Sequence, residues 1–418
     1  MKTIIIGAGF AGLAAGIKLK ENFLIIEKDK RPGGLCKSET KDGFVFDYTG
    51  HFLHLRDKKI EKFVLENSTC QLNKITRHAF IYSKGAYTGY PYQINNYGLP
   101  AETIAENLTG FIRTSLVKNP KQENFKQWIL NTLGEGIAKN FMVPYNSKLW
   151  KYPLDKMTVK WLGRFVPTTT LDEIMNGILP KAKTDTGYNA AFYYPETGGI
   201  EAVIKDFYAK VKDKVKLGET VIKIDTKAKK VITDKGEYIY ETLINTMNLK
   251  SFMKIASGLA GSKLAKKLKA TSVYNLNIGY MGTAPKDKHW VYVPEKDFVF
   301  YRVGFPHNVA PKNVPQECGA VFAEVAFRGT LSTGLDKKII SGLIKMGILK
   351  NETVIISKLP MFLKEAYVIY DKYREVKLPV IMAELKGKDI LSIGRWGAWE
   401  YSSMEDAIMQ GFEVAEKK

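Results

Sequence analysis

The sequence predicts an α/β chain: a parallel sheet assembled from separated stretches, a helical insertion, and an antiparallel-sheet region. Three observations predict it. The chain opens on a short β-branched run, Thr3–Ile6, then a glycine turn, a helical stretch and a second apolar run. Residues from about 56 to 185 carry helical spacing, as in 125–133 and 137–142. Residues 272–330 alternate polar and apolar, as in 273–279, 290–293 and 298–303, which is the period of antiparallel strands.

The bulk properties fit this class. The 418 residues are enough for two or three domains, and 45% hydrophobic with 25% charged excludes disorder, collagen-like repeats and a coiled coil. Three cysteines (Cys36, Cys70, Cys318) make no disulfide framework and no CxxC zinc pair, which fits a reducing cytoplasm. Lys+Arg 63 against Asp+Glu 43 gives +20. Such an excess suits nucleic acid, an anionic membrane or a phosphorylated small molecule. The lysines are scattered, however, with short clusters at 227–230 and 263–269, and no nucleic-acid motif accompanies them. The apolar start is broken by Gly7, Gly9, Gly12 and Gly16, so neither a signal peptide nor a spanning helix is read there.

Element by element, the first strand runs into Gly7-Ala8-Gly9-Phe10-Ala11-Gly12, helical spacing follows over 13–20, and the run 23–26 ends in Glu27. Gly7 permits the tight turn, Gly9 lets backbone approach a pyrophosphate, and Gly12 allows helix to pack closely on strand. The helix start offers free N–H groups to phosphate. Glu27 stands about 20 residues on, where a carboxylate takes a ribose hydroxyl pair and disfavours a 2′-phosphate. This is a dinucleotide site, and NADP is not what it holds.

The next residues separate FAD from NAD. Arg31-Pro32-Gly33-Gly34 follows the acid, then Asp42-Gly43-Phe44-Val45-Phe46-Asp47-Tyr48-Thr49-Gly50-His51. The string resembles the amine oxidase-like FAD superfamily, which includes protoporphyrinogen oxidases, phytoene desaturases and UDP-galactopyranose mutases. The resemblance implies a Rossmann-like FAD-binding domain. It carries cofactor contacts onto Gly7, Gly9, Phe10, Ala11, Gly12, Glu27, Lys28, Gly33, Gly34, Leu35, Val221, Gly394, Arg395 and Met404. In this superfamily the segment 241–246 closes the FAD domain's sheet, and the chain ends on a strand at 390–393 and a helix from Met404. The expected division is 1–70 with 186–250 and 385–418 for FAD, 71–185 as a helical domain with a mobile loop, and 251–384 as an antiparallel-sheet substrate domain.

No nucleophilic triad is legible, and the five histidines lack zinc-ligand spacing, so no metal is expected and the chemistry falls to the flavin. Pro144-Tyr145-Asn146-Ser147-Lys148-Leu149-Trp150, Trp161-Leu162-Gly163-Arg164, Trp290-Val291-Tyr292-Val293-Pro294, Phe300-Tyr301-Arg302 and Gly394-Arg395-Trp396-Gly397-Ala398-Trp399-Glu400-Tyr401 resemble segments of UDP-galactopyranose mutase. That resemblance implies a flavin-dependent isomerase that interconverts pyranose and furanose forms of a UDP-sugar through an adduct between sugar and N5 of reduced flavin, in cell-surface polysaccharide biosynthesis. Arg302 is then the diphosphate anchor, as a planar fork suits phosphate. Arg164 is a second cation, Tyr367 and Tyr401 orient the diphosphate, and His51 supports the reduced flavin. Asn146, Trp150, Trp290 and Tyr292 shape the substrate pocket.

Each role has a plainer counterpart: Arg302 as a partner of a carboxylate, His51 as a hydrogen-bonded structural residue, and Trp150 as core. Three departures from the mutase pattern matter. Thr49 replaces a glycine, Arg164 stands one position early, and Ser402-Ser403 occupies the place of an acid or amide, so the sugar need not be galactose. NAD(P)H or another transient donor would reduce the flavin. The alternative function is an FAD-dependent oxidoreductase taking hydride from an amine, porphyrinogen or polyene. The sequence leaves open whether the chain works alone or as a homo-oligomer.

Overall fold

The computed structural model describes residues 3–117, 122–180 and 190–416, and at Arg164 the backbone alone. Five short strands form a parallel sheet in the order Ile390–Ser392, Thr242–Asn245, Thr3–Ile6, Phe23–Glu27, Val215–Leu217. Sequence neighbours supply only one adjacent pair, so the sheet exists only when three distant stretches meet. The first three residues of each central strand are buried apolar groups or threonine, as expected of strands covered on both faces. The segment 241–246 was expected to close this sheet. Instead Thr242–Asn245 lies inside it, and Ile390–Ser392 takes the edge.

The helix Phe10–Leu19 covers one face, and the C-terminal helix Met404–Glu416 lies against it. Their approach depends on Gly411, whose missing Cβ would stand 2.6 Å from the Ala11 carbonyl oxygen. A second sheet of four strands includes Val221–Asp225 and Lys230–Thr233, which pair antiparallel.

The third sheet has seven strands, in the order Ile355–Val368, Ala270–Met281, Cys318–Phe327, Arg302–Gly304, Trp290–Tyr292, Ala79–Ser83, Ala86–Gly89. Its pairs are antiparallel except for Trp290–Tyr292 with Ala79–Ser83. Two expectations change here. Residues 71–185 are not uniformly helical, because Leu72–Thr76, Ala79–Ser83 and Ala86–Gly89 are strands. The run 298–303 pairs only from Arg302 onward; Phe298 and Phe300 are instead buried as core. Alternation over six residues cannot distinguish a paired strand from a turn that drops two rings inward. The helices Ala101–Ser115 and Phe125–Ile137, a π-helical turn Ala138–Met142 and the helix Val143–Trp150 cover the space beside the sheet.

Candidate active site

A cavity of about 630 Å³ runs between the parallel sheet and the seven-stranded sheet. That volume is in the range of cofactor pockets. One end is lined by Gly7, Gly9, Phe10, Ala11, Glu27, Lys28, Gly33, Gly34, Leu35 and Val221. Gly7 turns with φ +103° where a Cβ would strike the Thr246 hydroxyl at 2.3 Å. At Gly9 the space a Cβ would enter is nearly open, its nearest neighbour being the Gly33 carbonyl oxygen at 3.9 Å. Gly9 also begins the helix, and no side chain caps it, so the first N–H groups face the cavity. Glu27 is buried, and its oxygens accept from Ala8 N–H at 2.8 Å and Asp29 N–H at 2.9 Å, which fixes the carboxylate while leaving lone pairs for a ribose. These residues fit the ADP half of a dinucleotide. Gly12 is outside the lining; its role is packing, with a Cβ that would lie 2.0 Å from the Gly7 carbonyl oxygen.

The centre of the cavity is lined by Thr49, Gly50, His51, Gly394, Arg395, Met404 and Ala407. Thr49 holds His51 locally, its hydroxyl lying 3.4–3.5 Å from the ring nitrogens. Burial, and then the guanidiniums of Arg395 and Arg302, push the His51 pKa down to about 3. The imidazole is therefore neutral at physiological pH. The Arg395 guanidinium lies beside the Tyr367–Tyr401 pair, 5.4 and 4.9 Å from the two ring centroids. Its Nε donates to the Ala366 carbonyl at 3.1 Å, Nη2 to the same carbonyl at 2.6 Å, and Nη1 to the Ser402 carbonyl at 2.7 Å. The fork clamps two strands of chain as it lines the cavity.

The far end carries Phe52, Phe165, Trp290, Tyr292, Tyr301, Arg302, Tyr367 and Tyr401. Trp290 stacks on Phe52 with centroids 4.9 Å apart, and Tyr367 stacks on Tyr401 at 5.7 Å. The Tyr301 hydroxyl stands 3.4 Å from that of Tyr367. Burial pushes the Tyr367 phenol up against a smaller opposing pull from Arg302, so it is a neutral donor. Arg302 is paired side-on with Glu324: Nε to Oε2 at 2.9 Å and Nη2 to Oε1 at 2.6 Å. Burial opposes the Arg302 charge, but Glu324 and the two phenols outweigh it and raise its pKa further. Its Nη1 has no hydrogen-bond partner among the described residues and remains available to an anion.

Two expected pocket residues lie behind the wall. Trp150 is 2% exposed, and its indole N–H donates to Asn146 Oδ1 at 3.1 Å. The Asn146 amide donates to the Met142 carbonyl at 2.8 Å, so both groups are consumed within the π-helical turn and the helix that follows it. Trp150 meets Tyr367 and Tyr401 edge-on at 5.9 and 6.4 Å and supports them from outside the cavity. The Arg164 side chain lies outside the described residues; its neighbour Phe165 reaches the cavity and meets Tyr401 edge-on at 4.8 Å.

Sequence reasoning missed Glu324, which is fully buried opposite Arg302 in strand register. A single acid inside the apolar run Cys318–Phe327 was the available signal. It also missed the support of Tyr401. Trp399 is buried with φ +53°, and its carbonyl accepts from Arg374 Nε at 3.0 Å and Nη2 at 2.6 Å. The Arg374 guanidinium lies 4.1 Å from the Tyr370 ring centroid, and the Tyr370 hydroxyl accepts the Tyr401 N–H at 2.7 Å.

Comparison with known proteins agrees with this architecture. Residues 5–66 match the family model described as an NAD(P)-binding Rossmann-like domain. A zebrafish (Danio rerio) inactive all-trans-retinol 13,14-reductase is 44% identical over 50 residues, 11% of this chain and 8% of that protein. An uncharacterized protein in the nifH2 3′ region of Methanothermococcus thermolithotrophicus is 41% identical over 54 residues, 12% of this chain and 52% of that protein. The chain thus matches about a twelfth and about half of these relatives' lengths. Among solved structures, a protoporphyrinogen oxidase-type protein of Exiguobacterium superposes with TM-score 0.76 at 15% identity, covering 100% of this chain and 98% of the other. Putrescine oxidase bound to putrescine gives 0.70 at 15%, with the same coverages. The fold is the one shared with these two oxidases. A reduced UDP-galactopyranose mutase superposes with TM-score 0.94 at 28% identity, over 99% of this chain and 94% of that one, and the two are similar along their whole length.

Proposed function

We propose that this protein is an FAD-dependent isomerase that interconverts the pyranose and furanose forms of a nucleotide sugar, UDP-linked by analogy with the mutase it resembles. The observation that carries this reading is the pairing of a dinucleotide-type cradle with a far end made of Tyr301, Tyr367, Tyr401 and the open Nη1 edge of Arg302. Gly9, Glu27, Gly33, Gly34, Lys28, Val221, Gly394 and Met404 would hold FAD, which when bound and reduced supplies a nucleophilic ring nitrogen. A transient donor such as NAD(P)H would keep it reduced. Arg302 then binds the diphosphate through Nη1, with Glu324 fixing the fork's orientation. Tyr367 and Tyr401 donate to phosphate oxygens and hold the leaving group in place. Neutral His51 accepts or donates one hydrogen bond beside the cofactor without adding charge. Trp290 and Tyr292 present aromatic faces to the base or sugar. The reading includes a cytoplasmic enzyme whose cofactor domain comprises 1–70, 186–250 and 385–418.

One observation favours a second reading, an FAD-dependent oxidoreductase that takes hydride from its substrate. Both arginines of the cavity are already engaged, Arg302 by Glu324 and Arg395 by backbone, and the walls around them are largely aromatic. Such walls suit an apolar or aminic substrate. Anaerobic incubation of the reduced holoprotein with a panel of nucleotide sugars, followed by chromatography, separates the two. A furanose product, with Arg302→Ala raising KM at least tenfold and leaving FAD content unchanged, is the expected result. No product from any nucleotide sugar, with peroxide formed from an amine in air, overturns it.

A further inference from the structure

We propose that the outer face of the helix Lys372–Lys386, together with the short helix Ser262–Ala265 beside it, docks the protein on an anionic membrane surface. The inference is independent of the substrate reading. It starts from an unpartnered apolar stripe. Val376 is 61% exposed and Val380 52%, and Pro379 and Ala383 are exposed with them. At three- and four-residue spacing these side chains share one side of the helix. The opposite side, with Leu378, Ile381 and Leu385, is buried.

Lysines ring the stripe. The short helix runs alongside, tied at one end by the Tyr373 hydroxyl to the Leu264 carbonyl (3.0 Å) and at the other by Glu384 to the N–H groups of Ala260 (2.6 Å) and Gly261 (2.8 Å). It brings exposed Lys263, Lys266 and Lys267 to the flank, while Lys372, Lys386 and Lys388 stand exposed at the ends. These six make no ion pair among the described residues. The carboxylates of the region are engaged elsewhere: Asp371 with Lys269 at 2.9 Å, Glu375 with Lys160 at 3.6 Å, Asp389 with Lys229 at 2.7 Å, and Glu384 as above. The face is therefore cationic at its rim and greasy along its crest.

That arrangement fits a lipid headgroup layer better than the other anionic partners. Aliphatic side chains enter the headgroup boundary while lysines meet acidic lipids, and reversible attachment needs both contributions. Nucleic acid would leave the valine crest in water, and the face offers no exposed aromatic ring for stacking. A protein partner is usually met by Trp, Tyr or Arg anchors in a concave setting, whereas this surface is a convex helix of Val, Pro and Ala. No described helix is long and apolar enough to span a bilayer, so contact would be with the surface alone.

The test is co-sedimentation of the full-length FAD-loaded protein with vesicles of phosphatidylcholine alone or with about 30% phosphatidylglycerol. Binding should be at least tenfold stronger to the anionic vesicles. Val376→Asp/Val380→Asp and, separately, Lys263→Glu/Lys266→Glu/Lys267→Glu should each lower it about tenfold, with circular dichroism and flavin content unchanged. Lys337→Glu/Lys338→Glu/Lys350→Glu makes the same change in charge elsewhere and should lower it less than threefold. If Val376→Asp/Val380→Asp misfolds, Val376→Ser/Val380→Ser replaces it. Equal losses in the patch and control variants, or equal binding to both vesicle types, would overturn the proposal. So would tighter binding to a short DNA duplex that the lysine variant abolishes and the valine variant leaves intact.

Discussion

Arg302 shows how a single side chain can be tuned by its neighbour. A lone guanidinium in a largely aromatic cavity would be expensive to desolvate, and an acid of the adjacent strand offsets that cost. Glu324 takes Nε and Nη2, so the open edge of the fork is oriented as well as charged. Removing the acid leaves an uncompensated buried charge, a loss of about 3–5 kcal/mol. Glu324→Ala should accordingly lower the Tm of the holoprotein far more than Glu324→Gln, which keeps the shape and one acceptor. Equal melting by differential scanning calorimetry would show that the pair is energetically idle. Arg302 itself was readable from its place after two aromatic residues. Glu324 was not, because its partner comes from a strand 22 positions away and only the register Arg302↔Glu324 joins them.

At the scale of elements, the loop before the C-terminal helix depends on a helix that precedes it. Trp399 sits in the left-handed region, which costs a bulky residue about 1–2 kcal/mol. Two charge-assisted hydrogen bonds from Arg374 to its carbonyl offset that cost and set the direction of the chain into Tyr401. Arg374→Met should therefore raise KM for the cavity's substrate or Kd for UDP by about tenfold, with little change in bound FAD. Arg374→Lys should restore part of it. Loss of flavin in parallel with substrate affinity would mean that Arg374 only stabilises the fold.

Legibility followed the same division. The strand, glycine turn, helix and acid of the first 27 residues are readable because the pattern that identifies them, glycine spacing and an acid at the end of the next strand, lies within one short stretch. Residues 143–150 lie within the stretch of helical spacing, yet Asn146 and Trp150 satisfy each other rather than a ligand. Spacing identifies a helix but leaves undecided which side faces the cavity when both sides are packed. The strand Leu72–Thr76 is hidden because its partner Ala191–Pro195 is distant, whereas Ala79–Ser83 and Ala86–Gly89 form a local hairpin whose turn at Lys84-Gly85 was an available signal.

On the scale of the whole molecule, Asp47 fastens distant parts together. It accepts from the Ser38 hydroxyl (2.6 Å), the Tyr194 hydroxyl (2.8 Å) and the Ile200 N–H (3.2 Å). Burial nevertheless pushes its pKa up to about 6, above the ~3.9 of an unfolded chain. The folded state thus holds this proton more tightly than the unfolded state. The stability it contributes is complete below about pH 4 and is lost as pH rises through about 6. Consequently Asp47→Asn should gain Tm relative to the parent protein as pH goes from 4 to 7. A difference between the two that does not vary with pH would exclude the titration of Asp47 in that window.

The placement of Gly394, Met404 and Ala407 in the cavity wall bears on biosynthesis. A ribosome that has delivered the glycine-rich turn and its acid has made only half of the container. The strand Ile390–Ser392 and the helix Met404–Glu416 emerge long after it, so a cofactor held as proposed cannot be retained until the ribosome has passed them. A chain truncated before Ile390 would therefore yield a colourless product, however intact the residues that precede it.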